Sequence, residues 1–292
     1  MLWKKAQAVG VVMRRKVFAS KIFDRKIVVI TGGCAGIGRA LAERMAQAGA
    51  RLVIFDLDQQ ALDGLAQHLR DHHNAEVLGL RCDVSDAAAV QQAMALVIER
   101  FGGIDVLVNN AGITHRSTVA ETSLNVFERI MAVNFYGALH CSQAALPCLI
   151  ARSGQIIVLS SLSRYAPVPG RAAYNASKHA LHGLFETLRG ELAGTGVNVM
   201  MVCPGFTATD LRNNVLVGDG STSPKPALGV GRVNAPQDVA EAIYQGAVRR
   251  RQLLVLSNVD WRSRLLARWC PKLYELLVLP RLAAAVDGSQ HG

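Results

Sequence analysis

The 292-residue sequence lacks several features that define other classes of protein. It has no apolar run of the roughly 18 residues that a membrane-spanning helix needs. Only 5% of the residues are aromatic, yet half are hydrophobic, which is an ordinary globular mixture rather than a disordered one. A chain of this length and composition is expected to fold around one α/β domain.

The six cysteines form no C-x-x-C pair and no disulfide framework of the kind found in short secreted chains. We interpret them as reduced, mostly buried thiols, which favours a reducing compartment and a cytoplasmic protein. His68, His72 and His73 have helical spacing, but no cluster of carboxylates or thiols accompanies them. The sequence therefore predicts no metal site.

Acidic residues are also scarce, and the formal net charge is +10. The excess lies at the two ends: residues 1–26 contain eight Lys and Arg against one Asp, and residues 249–281 contain eight against one Asp and one Glu. The nearly neutral middle argues against a nucleic-acid-binding groove through the core. Residues 1–25 are predicted to be a basic arm without the pattern of a secretory signal, because Ala6–Met13 is short and Arg14 follows at once.

From residue 26 onward, strand-like and helix-like segments alternate. Strands are predicted at residues 27–30, 51–55, 77–82, 104–108, 155–159 and 197–203. Helices are predicted at residues 39–49, 59–72, 87–101, 123–151 and 174–193. This repeated βα unit is typical of a doubly wound parallel sheet (Rossmann-type), which we assign to residues 26–256, followed by a C-terminal helical tail at residues 257–292.

A glycine-rich turn, Thr31-Gly-Gly-Cys-Ala-Gly-Ile-Gly38, lies between the first strand and the first helix. Glycines are needed where the backbone approaches a pyrophosphate and where a helix presents its N–H groups to an anion. Asp56 ends the second strand, 18 residues past Gly38, where a carboxylate can accept hydrogen bonds from both ribose hydroxyls. Because Asp56 would repel a 2′-phosphate, it favours NAD over NADP, although Arg39 weakens this preference.

Tyr174 and Lys178 stand four residues apart on a predicted helix, so their side chains share one face. A phenol has a pKa of about 10, too high for acid–base work near neutrality, and a neighbouring ammonium is expected to lower it. Two serines, Ser160 and Ser161, directly follow the apolar segment 155–159. A hydroxyl at that strand end can hold the substrate oxygen that Tyr174 protonates.

The segment Tyr174-Asn-Ala-Ser-Lys178, with Ser161 thirteen positions earlier, resembles the active site of the classical short-chain dehydrogenase/reductase family. The T-G-x-x-x-G-x-G turn is similar to the coenzyme motif of that family. The resemblance implies that Tyr174 is the acid/base, that Lys178 activates it and holds the nicotinamide ribose, and that Ser161, rather than Ser160, orients the substrate oxygen. It also implies that Asn134 holds a water that links Lys178 to solvent.

The resemblance extends to the residues that line the coenzyme. The segment Asn109–Gly112 matches the N-N-A-G of the family, and Cys203–Thr209 resembles its loop over the nicotinamide. The implied coenzyme-binding residues are Gly32, Gly36, Ile37, Gly38, Asp56, Asp83, Val84, Asn110, Ala111, Gly112, Tyr174, Lys178, Pro204, Gly205, Thr207 and Thr209.

The implied activity is an NAD(H)-dependent transfer of hydride between nicotinamide and a secondary alcohol or ketone. Two alternatives stay open: an NADPH-dependent ketoacyl-type reductase, and a catalytically idle coenzyme-binding regulator. By family analogy, the helices at 123–151 and 174–193 pair with a second subunit in a homodimer or homotetramer. The segment 215–235 is predicted to be a flexible lid over the substrate.

The tail combines tryptophan, leucine and arginine. Leu265, Leu266 and Trp269 are predicted to share one helical face, and Pro271 is predicted to start a second short helix. Such a tail suits peripheral contact with an anionic membrane surface, aided by the basic arm, or packing over the substrate pocket. Both interpretations predict an apolar alcohol or ketone as substrate, similar to a steroid, a retinoid or a fatty chain.

Overall fold

The computed structural model describes residues 22–164, 168–209, 215–223, 233–256 and 269–277. Within these ranges, seven parallel strands form the main sheet: β1 (Ile27–Thr31), β2 (Arg51–Asp56), β3 (Val77–Arg81), β4 (Val106–Asn109), β6 (Gln155–Leu159), β7 (Asn198–Pro204) and β9 (Leu253–Leu256). Their order in space is β3-β2-β1-β4-β6-β7-β9. Two short strands, β5 (Thr114–His115) and β8 (Val215–Leu216), form a separate parallel pair.

Helices cover both faces of the main sheet. One face carries α1 (Gly36–Gln47), α2 (Gln59–His73) and α7 (Pro236–Val248). The other carries α3 (Ala87–Phe101), α5 (Gly137–Ala151) and α6 (Ala172–Glu191). A smaller cluster joins α4 (Leu124–Met131) to the start of α6 and to β8, and α8 (Pro271–Leu277) lies in the tail.

The strands form where the sequence offers short runs of apolar, often β-branched residues. Every residue of β1 and β6 is buried, as expected for parallel strands with helices on both faces. Aspartates begin two of the helices: an Asp58 carboxylate oxygen accepts from Ala61 N at 3.1 Å, and one of Asp86 accepts from Ala88 N at 2.8 Å. The predicted doubly wound parallel sheet is confirmed.

The chain reverses its direction of travel across the sheet between β1 and β4. β1 pairs with β2 on one side and with β4 on the other. The carboxyl ends of β1 and β4 therefore form the switch point at which ligands bind in open α/β sheets. The hydroxyl oxygen of Thr31 bridges this point, accepting hydrogen bonds from Asn110 N and Ala111 N at 3.0 Å each.

The single helix predicted for residues 123–151 is wrong in one respect. A π-helical turn, Ala132–Tyr136, separates α4 from α5, and the N–H of Gly137 bonds back to the carbonyl of Ala132. A π turn accommodates one more residue than the regular helix and is frequent at functional sites. Here the turn contains the buried Asn134.

The lid predicted for residues 215–235 also differs from a plain loop. It begins with the buried strand β8, and near its end Asn234 forms a β-bridge with Thr207. α8 begins at Pro271, as predicted. Residues 224–232 of the lid, 1–21 of the basic arm, and 257–268 and 278–292 of the tail, with Leu265 and Leu266, lie outside the described residues.

Candidate active site

Two neighbouring elements bring three of the predicted catalytic side chains together. β6 ends at Leu159, just before the serines, while α6 carries Tyr174 and Lys178 one turn apart, both buried. The Ser161 side chain hydrogen-bonds to the Tyr174 phenol. Lys178 Nζ donates to the carbonyl of Leu159 at 2.8 Å and lies 5.7 Å from the centre of the Tyr174 ring. Ser160 faces away from this cluster, since its hydroxyl donates to the Lys178 carbonyl at 3.3 Å.

Asn134 reaches the same cluster from the π turn. Its Oδ1 accepts from Ile113 N at 2.8 Å, and its Nδ2 donates to Ile113 O at 3.0 Å and to Ser177 Oγ at 2.9 Å. A Cβ added to Gly112 would lie 3.2 Å from Asn134 Oδ1 and 3.6 Å from Lys178 Nζ. Gly112, Asn134 and Lys178 therefore meet around one small space, which only a residue without a side chain leaves open.

Burial dominates the electrostatics of the pair. It raises the pKa of Tyr174 above 10, against smaller lowering effects from the Ser161 hydrogen bond and the charge of Arg171. It lowers the pKa of Lys178 to about 8, against a smaller raising effect of Cys203. The expected net lowering of the Tyr174 pKa is therefore wrong, because desolvation, which disfavours the charged form, is the largest effect on this group.

The glycine turn has the shape that a pyrophosphate requires. Gly32 and Gly36 have left-handed φ angles of 60° and 51°, and a Cβ at Gly38 would overlap the carbonyl oxygen of Gly32. α1 begins at Gly36 without a side-chain cap on its first N–H groups, and Ile37 packs against the core. An uncapped helix start behind a glycine cradle fits an anionic coenzyme.

Asp56 lies beside this turn and is held by backbone donors. Its Oδ2 accepts from Cys34 N at 3.0 Å, and its Oδ1 accepts from Leu57 N at 2.8 Å. Burial and the Asp56 charge together raise the pKa of the Cys34 thiol to about 12. Arg81, the register partner of Asp56 on β3, donates to Leu57 O at 3.1 Å. The carboxylate is thus fixed at the edge of the glycine turn.

The remaining predicted coenzyme residues lie along the same edge of the sheet. Asp83 is exposed, and its Oδ1 accepts from both the N–H and the hydroxyl of Ser85. Val84 is buried, and a Cβ at Gly137 would lie 2.7 Å from its methyl group. Asn110 Nδ2 donates to the carbonyls of Thr31 and Gly32 at 3.0 and 2.8 Å, which ties the loop after β4 to the glycine turn.

The loop after β7 closes over the glycine turn. β7 ends at Pro204, and the buried Thr207 donates its hydroxyl to the Gly205 carbonyl at 3.0 Å. A Cβ at Gly36 would lie 2.8 Å from the Thr209 methyl group, so Thr209 packs directly on the turn. The loop therefore lies on the same side of the sheet as the predicted coenzyme site.

Sequence reasoning missed several residues of this region. Thr31 joins β1 to the loop after β4. Ser177 joins Asn134 to α6, because its Oγ accepts from Asn134 Nδ2 at 2.9 Å and donates to the Tyr174 carbonyl at 2.8 Å. His182 lies two turns beyond Tyr174, with Nε2 3.7 Å from the thiol of Cys203. The four-residue spacing of His182 from Lys178 is the sequence signal that would have identified it.

Comparisons with known proteins agree with this geometry. The family model described as short chain dehydrogenase matches residues 26–218. A Drosophila melanogaster relative, "Dehydrogenase/reductase SDR family protein 7-like", is 33% identical over 88% of this chain and 80% of its own length. "Dehydrogenase/reductase SDR family member 7B" of Xenopus laevis is 32% identical over 89% of this chain and 83% of its own.

Solved structures show the same relationship. A short chain dehydrogenase/reductase from Burkholderia phymatum in complex with NAD is 30% identical, with a TM-score of 0.75 over 86% of this chain and 95% of that one. An alcohol dehydrogenase from the archaeon Thermococcus sibiricus, complexed with 5-hydroxy-NADP, is 28% identical, with a TM-score of 0.69 over 80% of this chain and 97% of that one.

The chain belongs to the short-chain dehydrogenase/reductase family. It is accordingly an oxidoreductase that acts on CH–OH or carbonyl groups. Its structural neighbours bind NAD or NADP, and members of the family generally form oligomers and bind small-molecule substrates.

Proposed function

We propose that this chain is an NAD(H)-dependent oxidoreductase that interconverts a secondary alcohol and a ketone. The single observation that carries the proposal is that Ser161 hydrogen-bonds to the buried Tyr174, one turn from the buried Lys178, with Asn134 and Lys178 both beside Gly112. A regulator without catalysis needs no buried phenol beside a buried amine. Both groups are costly to bury, and together they provide acid–base chemistry.

A nicotinamide coenzyme bound at the glycine turn would supply or accept the hydride. Ser161 holds the substrate oxygen, and Tyr174 donates a proton to it during reduction or accepts its proton during oxidation. Lys178 stabilises the phenolate as an ammonium and binds the ribose of the coenzyme. Asn134, whose side-chain amide hydrogen-bonds to both the N–H and the carbonyl of Ile113, would hold a water that links the Lys178 amine to solvent.

We infer a preference for NAD from Asp56. Its carboxylate is fixed beside the glycine turn by two backbone N–H groups, and it repels the 2′-phosphate of NADP. Arg39, the cation nearest to the turn in sequence, forms an ion pair with Glu43 at 3.2 Å on α1. This pairing leaves the Asp56 charge as the main electrostatic influence on the coenzyme ribose.

The test is a panel of secondary alcohols and ketones, assayed by NADH absorbance with the wild-type protein and with Tyr174→Phe. Tyr174→Phe should remove nearly all turnover and leave NADH binding close to normal, because only the proton donor is lost. Tyr136→Phe is the matched control, since that phenol is 48% exposed. Full activity of Tyr174→Phe would refute the assignment, and turnover of ketoacyl substrates with NADPH alone would favour the ketoacyl-type reductase.

We infer a lipophilic substrate and a membrane-facing tail from α8. One side of this helix is packed, with Tyr274 3% exposed, while Leu276 on the helix and Trp269 just before it are 71% and 75% exposed. Exposed Trp and Leu beside basic residues suit an interface helix. Within the described residues, no helix is long and apolar enough to cross a bilayer.

Sedimentation with anionic vesicles tests the membrane contact. Binding is expected at low salt and should weaken at high salt, because the basic ends contribute about 1 kcal/mol per charge near the surface. Trp269→Ala with Leu276→Ala should reduce binding without changing turnover of a water-soluble ketone. Absence of co-sedimentation at low salt would remove the membrane part of the proposal.

We further propose the division into a basic arm at 1–25, an enzymatic domain at 26–256 and a helical tail at 257–292. In a homodimer or homotetramer, α4, α5 and α6 would pair with a second subunit. Leu124 and Ile150 support this arrangement, because they are 72% and 41% exposed on α4 and α5. Light scattering of the wild type and of Leu124→Glu would test it, with a smaller assembly expected for the variant.

A further inference from the structure

A column of titratable side chains runs along one face of α6. Tyr174, Lys178, His182 and Glu186 follow one another at intervals of four residues, which keeps them on the same side of the helix. Lys178 and His182 are buried, whereas the Glu186 side chain is 43% exposed. The column therefore leads from the candidate active site to the protein surface.

The contacts in this column fix the direction of its hydrogen bonds. His182 Nδ1 lies 3.0 Å from Glu186 Oε1, and because a carboxylate only accepts, Nδ1 carries the proton. In the neutral ring, the lone pair of Nε2 then points away from Glu186. The thiol of Cys203 lies on this side, 3.7 Å from Nε2, so its proton faces a basic nitrogen.

Cys203 lies one turn of α6 from Lys178 through its contact with His182. It is fully buried on β7, under the same helix, and a negative charge on its sulfur raises the pKa of Lys178. The hydrogen bond of Lys178 Nζ goes to a neutral carbonyl, that of Leu159. Within the described ranges, Lys178 takes part in no ion pair with a carboxylate.

We propose that Cys203, His182 and Glu186 are positioning residues that hold a negative charge beside Lys178 and so keep it an ammonium. The Cys203 proton moves from Sγ to Nε2, while the Nδ1 proton stays hydrogen-bonded to Glu186. This leaves a thiolate next to Lys178 and an imidazolium between the thiolate and the carboxylate. Charges then alternate in sign along the column, and no atom or electron leaves the protein. The proposal rests on the proposed roles of Tyr174 and Lys178.

Two further cations face the column. Arg171, at the start of α6, lowers the pKa of Tyr174 through its charge. Arg189, at the other end, donates to Val199 O at 3.2 Å and to Gln252 O at 3.1 Å. Because arginine is not deprotonated in proteins, neither group creates a pH-dependent step in the column.

The test measures the pH dependence of kcat and of the NADH dissociation constant in Cys203→Ser, His182→Gln and Glu186→Gln. Serine fills nearly the space of cysteine but does not ionise in this range, so it removes the charge while keeping the packing. Loss of the thiolate lowers the pKa of both Lys178 and Tyr174, because Cys203 raises both. Both limbs of the profile of kcat against pH should move to lower pH. The expected shift is about one unit in Cys203→Ser and His182→Gln and less in Glu186→Gln.

Glu191→Gln is the matched control, because Glu191 is an exposed acid on the same helix. It should leave both profiles unchanged. Unshifted limbs in Cys203→Ser with an unchanged Tm would overturn the proposal, and so would an equal shift in Glu191→Gln. If His182→Gln does not fold, the partly exposed Glu186 still decides the question. A Glu186→Gln variant whose pH profiles are identical to those of the wild type refutes the proposed role of the column.

NADH binding separates this proposal from the proposed reaction, because it needs no turnover. A shifted pH dependence of NADH binding in Cys203→Ser, together with full activity of Tyr174→Phe, would support the positioning role of the column and refute the proposed catalytic role of Tyr174. Unshifted binding with an inactive Tyr174→Phe would give the opposite result. A fluorescence titration with NADH reports the charge of Lys178 at the ribose whichever substrate the enzyme turns over.

Discussion

Lys178→Met should make the protein more stable at neutral pH while removing its activity. The wild-type amine is buried, and burial lowers its pKa from 10.5 to about 8. That difference corresponds to about 3 kcal/mol by which the folded protein disfavours the ammonium relative to the unfolded chain. Methionine carries no charge, so the folded variant is free of this cost.

The net gain is smaller than this figure, because the variant loses the 2.8 Å hydrogen bond from Nζ to Leu159 O. A hydrogen bond from a charged donor contributes about 1.5–3 kcal/mol, which leaves a net stabilisation of about 1 kcal/mol at pH 7. Between pH 8 and 10.5 the unfolded wild type binds more protons than the folded wild type, so wild-type stability rises with pH. The advantage of the variant is therefore fully present below pH 8 and disappears as the pH approaches 10.5.

Chemical denaturation of both proteins at pH 7 and at pH 9.5 measures this difference. Lys272→Met is the control, since that lysine is exposed, and its free energy of unfolding should stay within about 0.5 kcal/mol of wild type at both pH values. A Lys178→Met variant that is less stable than wild type at pH 7, or a difference that does not shrink at high pH, would refute the reasoning. Fluorescence titration should also show weaker NADH binding, because the ribose loses a donor.

Two further outcomes follow from the coenzyme edge of the sheet. Asp56→Ala should relax the discrimination against NADPH, because it removes the charge that opposes the 2′-phosphate. The control Asp63→Ala, on the exposed face of α2, should leave the coenzyme preference unchanged. A wild-type preference for NADPH by kcat/KM would contradict this interpretation of Asp56. Thr31→Val should lower the free energy of unfolding by about 2 kcal/mol, because two N–H groups lose their acceptor, and it should also weaken NADH binding. An unchanged free energy of unfolding would show that both donors find other partners.

Much of the fold was predictable, because each strand and helix has a strong local signal. The β1 and β6 segments are short apolar runs without alternation, which is the pattern of strands buried on both faces. Glycines at the β1–α1 turn signal a close approach of backbone, and the structure shows that approach in the left-handed Gly32 and Gly36. Each of these patterns can be recognised from residues that are close together in the sequence.

The rest was not predictable, because it depends on contacts between distant segments. Asn134 looks like a poor helix residue in the sequence, and only its bonds to Ile113 explain the π turn. The direction of the Tyr174 pKa shift depends on burial, which no local pattern reports. The contact of His182 with Cys203 joins a helix to a strand 21 residues later in the chain.

The π turn also means that the site depends on the length of the chain. A turn of this kind holds one residue more than the regular helix, so deleting one residue between Ala132 and Tyr136 would let α4 and α5 join into one straight helix. The shortened helix would regain the regular hydrogen-bond pattern of an α-helix through this segment. Asn134 would be rotated by about 100° away from Ile113 and Lys178. The extra residue therefore sets both the position of Asn134 and the rotation, relative to α5, of α4, whose buried Val126 and Ile130 would otherwise leave their cluster.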